Sequence, residues 1–278
     1  MKRKRKWVQL ICAVLYNFHI TGFAKGVIYQ GNLKSACIPG LNCYSCPGAV
    51  FSCPLGSLQT ALVSSKYRFP YYMLGMLLLF GVFLGRVVCG FLCPFGWIQE
   101  LLYKIPSKKL PKNSFTRKLS YLKYVILVVF VIVIPLVSLA PGFCKYICPA
   151  GTLEGGIPLL LKNEPLRQMA GSLFRWKTLL LILILVSAVF IFRSFCRFLC
   201  PLGAFYGLFN KISLFGMRID EKKCNHCGAC LRHCKMDIKK VGDAECIQCG
   251  ECIESCNPQA LSHTSACRNN RSQTRDLT

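Results

Sequence analysis

Two cysteine runs near the C-terminus decide the fold of that part of the chain. Residues 224–234 have the sequence CNHCGACLRHC, and residues 246–256 have the sequence CIQCGECIESC. Both runs space their cysteines as C-x2-C-x2-C-x3-C, which is the ligand pattern of a cubane iron–sulfur cluster. Three cysteines of one run hold three irons of one cluster, and the fourth cysteine reaches the cluster of the other run. The sequence therefore predicts two [4Fe–4S] clusters in this stretch.

This rule divides the eight cysteines into two ligand sets. The first set is Cys224, Cys227, Cys230 and Cys256, and the second set is Cys246, Cys249, Cys252 and Cys234. Zinc is the competing interpretation of paired C-x2-C motifs, but a zinc site needs only four ligands and does not explain two identical four-cysteine runs. We predict an α+β, double-cluster domain of the bacterial ferredoxin type over residues 212–260, followed by a disordered basic tail over residues 261–278.

The chain before this domain is apolar enough for a membrane protein. Of its 278 residues 53% are hydrophobic, and the mean hydropathy is +0.42. Four apolar blocks are long enough to cross a hydrocarbon layer of about 30 Å as helices. They cover roughly residues 7–24, 69–88, 119–140 and 179–194. Residues 1–211 are therefore predicted to form an α-helical membrane domain with four transmembrane helices.

Basic residues beside these blocks predict the orientation. The formal net charge is +24, and five consecutive basic residues run from Lys2 to Lys6, with six more between residues 104 and 118. An excess of Lys and Arg marks cytoplasmic loops, so both termini are expected in the cytoplasm. Arg86 is expected to snorkel to the interface, and an electrostatic role beside the inner cysteines is the weaker alternative. A nucleic-acid-binding protein would instead carry a basic face on a water-soluble fold. The N-terminal block also has features of a signal peptide, although an uncleaved span is the favoured interpretation.

A second cysteine motif is repeated within the apolar part. Cys-Pro-x-Gly occurs four times, beginning at Cys53, Cys93, Cys148 and Cys200. The last three copies have a further cysteine four residues earlier, at Cys89, Cys144 and Cys196, whereas Cys43 and Cys46 precede the first copy. Proline is favoured at the first position of a helix, so each motif cysteine is expected at a helix N-terminus, where unpaired N–H groups stabilise a thiolate. The domain then consists of two tandem halves, each with a span, an outer motif, a span and an inner motif.

These motifs supply further candidate metal ligands. On the inner side they are Cys89, Cys93, Cys196 and Cys200; on the outer side they are Cys144, Cys148, Cys43, Cys46 and Cys53. The residues alone leave open a membrane-embedded iron–sulfur cluster, a copper site, a thiol–disulfide relay, structural disulfides, or buried thiols in helical turns. Four copies of one signature favour a metal or redox role.

Two stretches resemble the paired motifs of NapH/NosR-type membrane polyferredoxins. They are GRVVCGFLCPFG at residues 85–96 and RSFCRFLCPLGA at residues 193–204. The resemblance implies a multi-pass iron–sulfur protein of a bacterial or archaeal cytoplasmic membrane. Such proteins pass electrons between cytoplasmic donors or the quinone pool and periplasmic reductase systems. The implied partners are membrane lipid, a cytoplasmic donor, and an extracytoplasmic acceptor or a flavoprotein.

Two functions of different classes fit these residues. The first is an electron-transfer subunit of an oxidoreductase system, rather than a stand-alone enzyme. The second is a metal-handling or maturation protein that reduces or delivers copper through its Cys-x3-Cys-Pro pairs. Metal content separates them, because about eight irons without copper favour the first. Stoichiometric copper that is lost with Cys196 and Cys200 favours the second.

Overall fold

Helices account for most of the regular structure. The computed structural model describes residues 2–64 and 71–265. Its helices before residue 212 are α1 (Lys2–Tyr16), α2 (Ile20–Lys25), α3 (Pro54–Ser64), α4 (Tyr71–Leu84), α5 (Pro94–Leu102), α6 (Ser114–Leu119), α7 (Leu122–Ile126), α8 (Ile134–Ser138), α9 (Gly142–Tyr146), α10 (Ile157–Lys162), α11 (Glu164–Gln168), α12 (Ser172–Phe190), α13 (Ser194–Phe198) and α14 (Pro201–Phe209). Short 3-10 or π-helical segments lie between them at Asn32–Ser35, Val88–Leu92, Leu127–Val133 and Gly151–Gly156.

Two of the four predicted spans form single helices of sufficient length, within the part of the chain that the structure describes. One runs over Ser114–Ser138, combines α6 to α8, and has a mean hydropathy of 2.4. The other is α12, with a mean hydropathy of 2.0. The second predicted span is represented by α4, an apolar helix of 14 residues. Residues 69 and 70 of that predicted span lie outside the described residues.

The first predicted span, residues 7–24, is not one continuous helix. The side-chain amide of Asn17 donates to Ala13 O (3.0 Å) directly after α1, and the backbone N–H of His19 donates to Gly48 O (3.1 Å) instead of to a helical carbonyl. The polar residues at this point therefore end α1 and redirect the chain before α2. Four continuous membrane-spanning helices are thus not formed by the segments that the hydropathy indicated.

A proline explains the irregular geometry of the longest helix. Pro135 is the second residue after the π-helical stretch Leu127–Val133. Proline has no N–H group and its ring collides with the preceding turn, so the regular hydrogen bond back to Val131 is missing. A π-helical turn widens the backbone locally and accommodates that gap. The helix therefore continues through Ser114–Ser138 despite the proline.

Proline also begins the helices that follow the Cys-Pro-x-Gly motifs. α3, α5 and α14 start at the motif prolines, so the motif cysteine lies directly before each helix. Proline is favoured at the first position of a helix because its φ is already fixed near the helical value. The N–H group that proline lacks would have no helical partner there. The motif therefore turns extended chain into a helix and leaves each cysteine beside free N–H groups.

The C-terminal cysteine runs lie in a small domain with two strands. β1 (Phe215–Ile219) pairs antiparallel with β2 (Leu261–Ser265), and α15 (Ala229–His233) and a 3-10 turn (Glu251–Ser255) lie between them. The two cysteine loops have the same backbone signature, because φ is positive at the residue before the second cysteine and at the glycine after it. These residues are His226 and Gly228 in the first loop and Gln248 and Gly250 in the second.

Strand β2 corrects the predicted boundary of the C-terminal tail. The tail was expected to be disordered from Leu261, whereas Leu261 lies opposite Ile219 and Thr264 opposite Gly216 in the sheet. Leu261 is also buried against Met217. The ladder and this contact order the segment. Residues 266–278, the rest of the predicted tail, lie outside the described residues.

Buried ion pairs join this domain to the helices. Basic side chains of the helical part contact its carboxylates as follows: Arg5 with Glu251, Arg86 and Lys123 with Glu245, and Arg197 with Asp237. Arg86 is fully buried, so the prediction that it snorkels to an interface is wrong. Arg5 is also buried, although its run of basic residues indicated only a cytoplasmic flank. Both arginines lie inside because a carboxylate of the C-terminal domain compensates each charge.

Candidate metal centres

Four thiols from two motifs converge beside the C-terminal domain. They are Cys89, Cys93, Cys196 and Cys200, and we call them the proximal group. All four are buried. Burial and then the neighbouring thiols of Cys196 and Cys89 raise the pKa of Cys93 to about 12. The same causes, in the same order, raise the pKa of Cys200 well above its ordinary value.

A second set of four thiols lies farther from the C-terminal domain. It consists of Cys43, Cys53, Cys144 and Cys148, which we call the distal group. All four line one cavity of about 650 Å³. Burial and then the thiols of Cys53 and Cys43 raise the pKa of Cys144 to about 12. The structure thus brings four of the predicted outer cysteines together.

Two predicted or neighbouring cysteines lie outside the distal group. The Cys46 thiol contacts Asn17 Oδ1 (3.5 Å). The Cys37 thiol contacts Ser57 Oγ (3.6 Å) and Met73 Sδ (3.4 Å). Neither cysteine lines the cavity of the distal group. The fifth predicted outer ligand, Cys46, therefore does not share the surroundings of the other four.

Two glutamines link the halves of the groups in the same way. Gln99 Nε2 donates to Cys196 Sγ (3.1 Å), and Gln99 Oε1 accepts the backbone N–H of Phe195 (3.1 Å). In the distal group, Gln59 Nε2 donates to Cys144 Sγ (3.4 Å), and Gln59 Oε1 accepts the N–H of the preceding phenylalanine (2.9 Å). Each glutamine follows its own motif cysteine by six residues. The two groups therefore share one construction.

Backbone N–H groups point at the thiols, as the helix starts predicted. Gly203 N donates to Cys200 Sγ, and Gly151 N donates to Cys148 Sγ, both at 3.4 Å. Hydrogen bonds to sulfur stabilise thiolates and the anionic clusters that thiolates hold. Four buried thiols with N–H donors suit a [4Fe–4S] cluster, and the residues present fit this cofactor.

Two buried guanidinium groups lie beside the proximal group. Arg193 donates through Nη1 to the carbonyl oxygen of Cys89 and through Nε to Glu100 (2.9 Å). Arg86 is held by Glu245 at 3.1 Å, while its Nε and Nη2 atoms have no hydrogen-bond partner among the described residues. Buried polar atoms without a partner are costly. An anionic ligand at the proximal group would supply acceptors for these two Arg86 atoms.

Cysteines of both predicted ligand sets lie close together in the C-terminal domain. Burial and then the thiols of Cys249 and Cys246 raise the pKa of Cys252 to about 12, with further contributions from Cys234 and from Cys230 of the other set. For the other set, Cys230 and Cys256 pack beside the small core around Met217 and Leu261. Cys224 and Cys227 lie in the loop before α15, and Cys227 is exposed.

The second ligand set lies directly against the proximal group. A methyl group added to Gly90 would lie only 2.3 Å from Ile247 O and 3.9 Å from the Cα atom of Cys249. Gly90 follows Cys89, and Ile247 follows Cys246. Glycine is required here because no larger residue allows such a close approach of two backbones. Cys89 of the proximal group and Cys246 of the second ligand set therefore directly precede the two residues that touch.

One loop passes between the proximal and distal groups. The backbone N–H of Leu41 donates to Cys93 Sγ, and the N–H of the next residue, Asn42, donates to Cys53 Sγ. A methyl group on Gly40 would lie 3.1 Å from Leu92 O, so the loop packs closely on the proximal motif. Neighbouring peptide groups of one loop therefore contact both groups.

Two further motif residues hold this loop. Tyr206 Oη donates to Pro39 O (3.1 Å), and Glu154 Oε2 accepts the backbone N–H of Cys43 (2.8 Å). Tyr206 and Glu154 also follow their motif cysteines by six residues. Sequence reasoning missed all four residues at this position. The recurrent polar residue in the second turn after each Cys-Pro, within CPLGSLQ, CPFGWIQ, CPAGTLE and CPLGAFY, is the signal that could have indicated them.

All nineteen cysteines within residues 2–64 and 71–265 are free thiols. In the same residues no three histidine, cysteine or carboxylate side chains converge where one metal ion could bind. A cubane cluster distributes its four ligands over four different irons, so its thiols surround a volume rather than one point.

Comparison with known proteins assigns a cofactor to the motif region. A 4Fe-4S binding domain family matches residues 69–113, 123–163 and 173–220. These segments contain the three Cys-x3-Cys-Pro pairs and end before the C-terminal cysteine runs. No solved structure matches the chain.

Similar proteins come from archaea and bacteria. An uncharacterized protein of Methanocaldococcus jannaschii is 34% identical over 56% of this chain and 61% of its own length. The methylamine utilization ferredoxin-type protein MauN of Methylobacillus flagellatus is 28% identical over 83% of this chain and 76% of its own length. The regulatory protein NosR of Stutzerimonas stutzeri is 32% identical over 55% of this chain and 20% of its own length. The chain thus spans less than two thirds of the length of two of these three relatives.

The thiol groups and these matches define an iron–sulfur electron transport protein of the ferredoxin type. The resemblance predicted from the two Cys-Pro stretches is confirmed. Over these segments the chain is similar to NapH/NosR-like electron transport proteins.

Proposed function

We propose that this protein relays electrons through the membrane domain, between a cytoplasmic donor or the quinone pool and a partner redox system. In this proposal the two C-terminal ligand sets hold two [4Fe–4S] clusters, and the proximal group holds another. Each bound cluster takes up or releases one electron at a time. The observation that carries the proposal is the backbone contact of Gly90 with Ile247, which joins the proximal group to the second ligand set.

The protein's own residues supply an insulated path between these sites. The proximal thiols are buried, so water is excluded from them. Arg86 and Arg193 supply positive charge at the same place, which stabilises a reduced, more negative cluster. At the opposite end, Cys227 is exposed, so the first ligand set is accessible to a soluble donor. Electrons would then enter at the exposed end and continue toward the buried proximal group.

We also propose a multi-pass topology with both termini in the cytoplasm. The support is the basic flank Lys2–Lys6 and the exposed apolar side chains on the four helices of the predicted spans. Examples of these side chains are Ile11 on α1, Leu79 on α4, Val128 in Ser114–Ser138 and Leu183 on α12. Apolar surface of this kind is suited to lipid. Extracytoplasmic labelling of cysteines introduced into each connecting loop tests this topology.

The relay is tested in the anaerobically purified full chain. Photoreduction should reduce the C-terminal clusters first and then a third centre. Rapid-freeze electron paramagnetic resonance (EPR) measures this order. Cys230→Ser should stop electron entry, and Cys89→Ser should abolish the third centre. Cys12→Ser is the control, because Cys12 lies on α1 and belongs neither to the proximal or distal group nor to the two C-terminal ligand sets. Unchanged transfer in Cys89→Ser would exclude the proximal group from the path. Stoichiometric copper that disappears with Cys196 and Cys200 would favour metal handling instead.

A further inference from the structure

The distal group repeats the proximal group at three of its four positions. Cys53, Cys144 and Cys148 correspond to Cys93, Cys196 and Cys200, with the same prolines after the motif cysteines and the same glutamine contacts. The fourth proximal cysteine, Cys89, lies four residues before Cys93, and the residue four before Cys53 is Ala49. By chain spacing alone, the distal group therefore lacks one ligand.

Cys43 occupies the missing position in space. A methyl group on Gly151 would lie 3.8 Å from both Cys43 Sγ and Cys148 Sγ, so these two sulfurs lie close to the same point. Cys43 also lines the cavity that the other three distal thiols share. Its backbone N–H is held by Glu154, which directs the loop toward the cavity. The replacement comes from a loop ten residues before the motif, not from the turn of helix that supplies Cys89.

The surroundings of the distal cavity are suited to an anionic ligand. Lys177 lines the cavity and donates to Cys144 O (3.1 Å). The backbone N–H of Asn42 donates to Cys53 Sγ. Asn42 also lines the cavity and is fully buried, and neither its Nδ2 nor its Oδ1 atom has a hydrogen-bond partner among the described residues. A buried amide without a partner is costly unless a ligand completes its contacts.

We propose that Cys43, Cys53, Cys144 and Cys148 bind a further [4Fe–4S] cluster, in which Cys43 takes the place that Cys89 has in the proximal group. The proposal deepens the relay function, because the loop through Leu41 and Asn42 contacts thiols of both groups. A cluster here would extend the path away from the C-terminal domain.

The test is the iron and acid-labile sulfide content of the anaerobically reconstituted full chain, with Mössbauer spectroscopy. Cys43→Ala should lose about four irons while the EPR signals of the C-terminal clusters remain. Cys43→Ser is the conservative variant for comparison with Cys43→Ala, because a serine oxygen retains a ligand atom at this position. Cys46→Ser is the matched control and should keep its iron, since Cys46 lies in the same loop outside the cavity. Full iron content in Cys43→Ala, or an equal loss in Cys46→Ser, would overturn the proposal.

A second measurement uses the unaltered protein. Cys43 should resist alkylation until a chelator removes iron, whereas Cys46 should react equally before and after iron removal. Equal reactivity of Cys43 in both states would overturn the distal cluster. This outcome differs from failure of the relay function, which would appear as unchanged transfer in Cys89→Ser.

Discussion

The side-chain amide of Gln99 donates a hydrogen bond to Cys196 Sγ over 3.1 Å. Gln59 makes the equivalent contact with Cys144 Sγ over 3.4 Å in the distal group. Each glutamine lies on the helix of one Cys-Pro motif and contacts the cysteine that precedes another. The second motif of each site is thereby fixed relative to the first, and the glutamine N–H points at a sulfur that would bind iron. Hydrogen-bond donors to a ligand sulfur tune the centre as well as orient its ligands.

Gln99→Leu should lower the reduction potential of the proximal cluster. The lost N–H···S bond stabilises the more negative, reduced state, and one hydrogen bond is worth about 1 kcal/mol, which corresponds to roughly 40 mV for one electron. An EPR-monitored redox titration measures the shift. Gln59→Leu is the matched control and should leave the proximal signal unchanged. Equal potentials in Gln99→Leu and the unaltered protein would show that the hydrogen bond has no tuning role.

Gly90→Ala should separate the C-terminal domain from the proximal group. The added methyl group would lie 2.3 Å from Ile247 O, closer than a carbon and an oxygen atom can approach. Neither atom can rotate away, because the methyl group is fixed to the backbone and Ile247 O is part of it. Electron transfer from the C-terminal clusters to the third centre should slow at least severalfold in rapid-freeze EPR. Gly75→Ala is the control, because nothing lies within 4 Å of its added methyl group. Wild-type rates in Gly90→Ala would exclude this contact as the path.

Local spacing predicts much of the cysteine chemistry. Ligands three or four residues apart are brought together by a single loop or turn, so the runs from Cys224 and Cys246 and the pair Cys89 and Cys93 could be grouped from the sequence. The fourth distal thiol could not, since the path of the loop decides between Cys43 and Cys46. That path depends on Glu154, more than a hundred residues later.

Charge patterns predicted position less well. Arg86 and Arg5 have the sequence surroundings of membrane-flanking residues, yet both are buried because acidic residues far along the chain pair with them. The first predicted span failed for a similar reason. Hydropathy averages over Asn17 and His19, whereas their hydrogen bonds to Ala13 and Gly48 end the helix.

Glu245→Gln should weaken docking of the C-terminal domain. Glu245 compensates Arg86 and Lys123, whose side chains are fully buried. Loss of one partner from a buried ion pair costs about 3–5 kcal/mol, because the remaining charges stay buried. Hydrogen exchange of the amides around Ile247 measures the free energy of opening. Glu164→Gln is the control, since its pair with Arg167 is exposed and should contribute less than about 1 kcal/mol. Unchanged exchange in Glu245→Gln would contradict a docking role.

Tyr206→Phe should loosen the loop between the two thiol groups. Tyr206 is fully buried, and its hydroxyl group donates to Pro39 O at 3.1 Å, so the substitution removes only the donor and leaves a carbonyl without its partner. Such a loss costs about 1–3 kcal/mol. Hydrogen exchange at the N–H groups of Leu41 and Asn42, which donate to Cys93 and Cys53, should accelerate accordingly.

Tyr103→Phe is the control for this substitution, because the Tyr103 ring packs on Phe192, away from the loop. The position of the two amides also predicts a common effect on both groups. Iron should be removed by a chelator faster from the proximal and the distal group in Tyr206→Phe, and at unchanged rates from the C-terminal ligand sets. Faster removal from the C-terminal sets as well would indicate general destabilisation. Unchanged exchange at Leu41 and Asn42 would mean that the close packing of Gly40 on Leu92 holds the loop without the hydroxyl group.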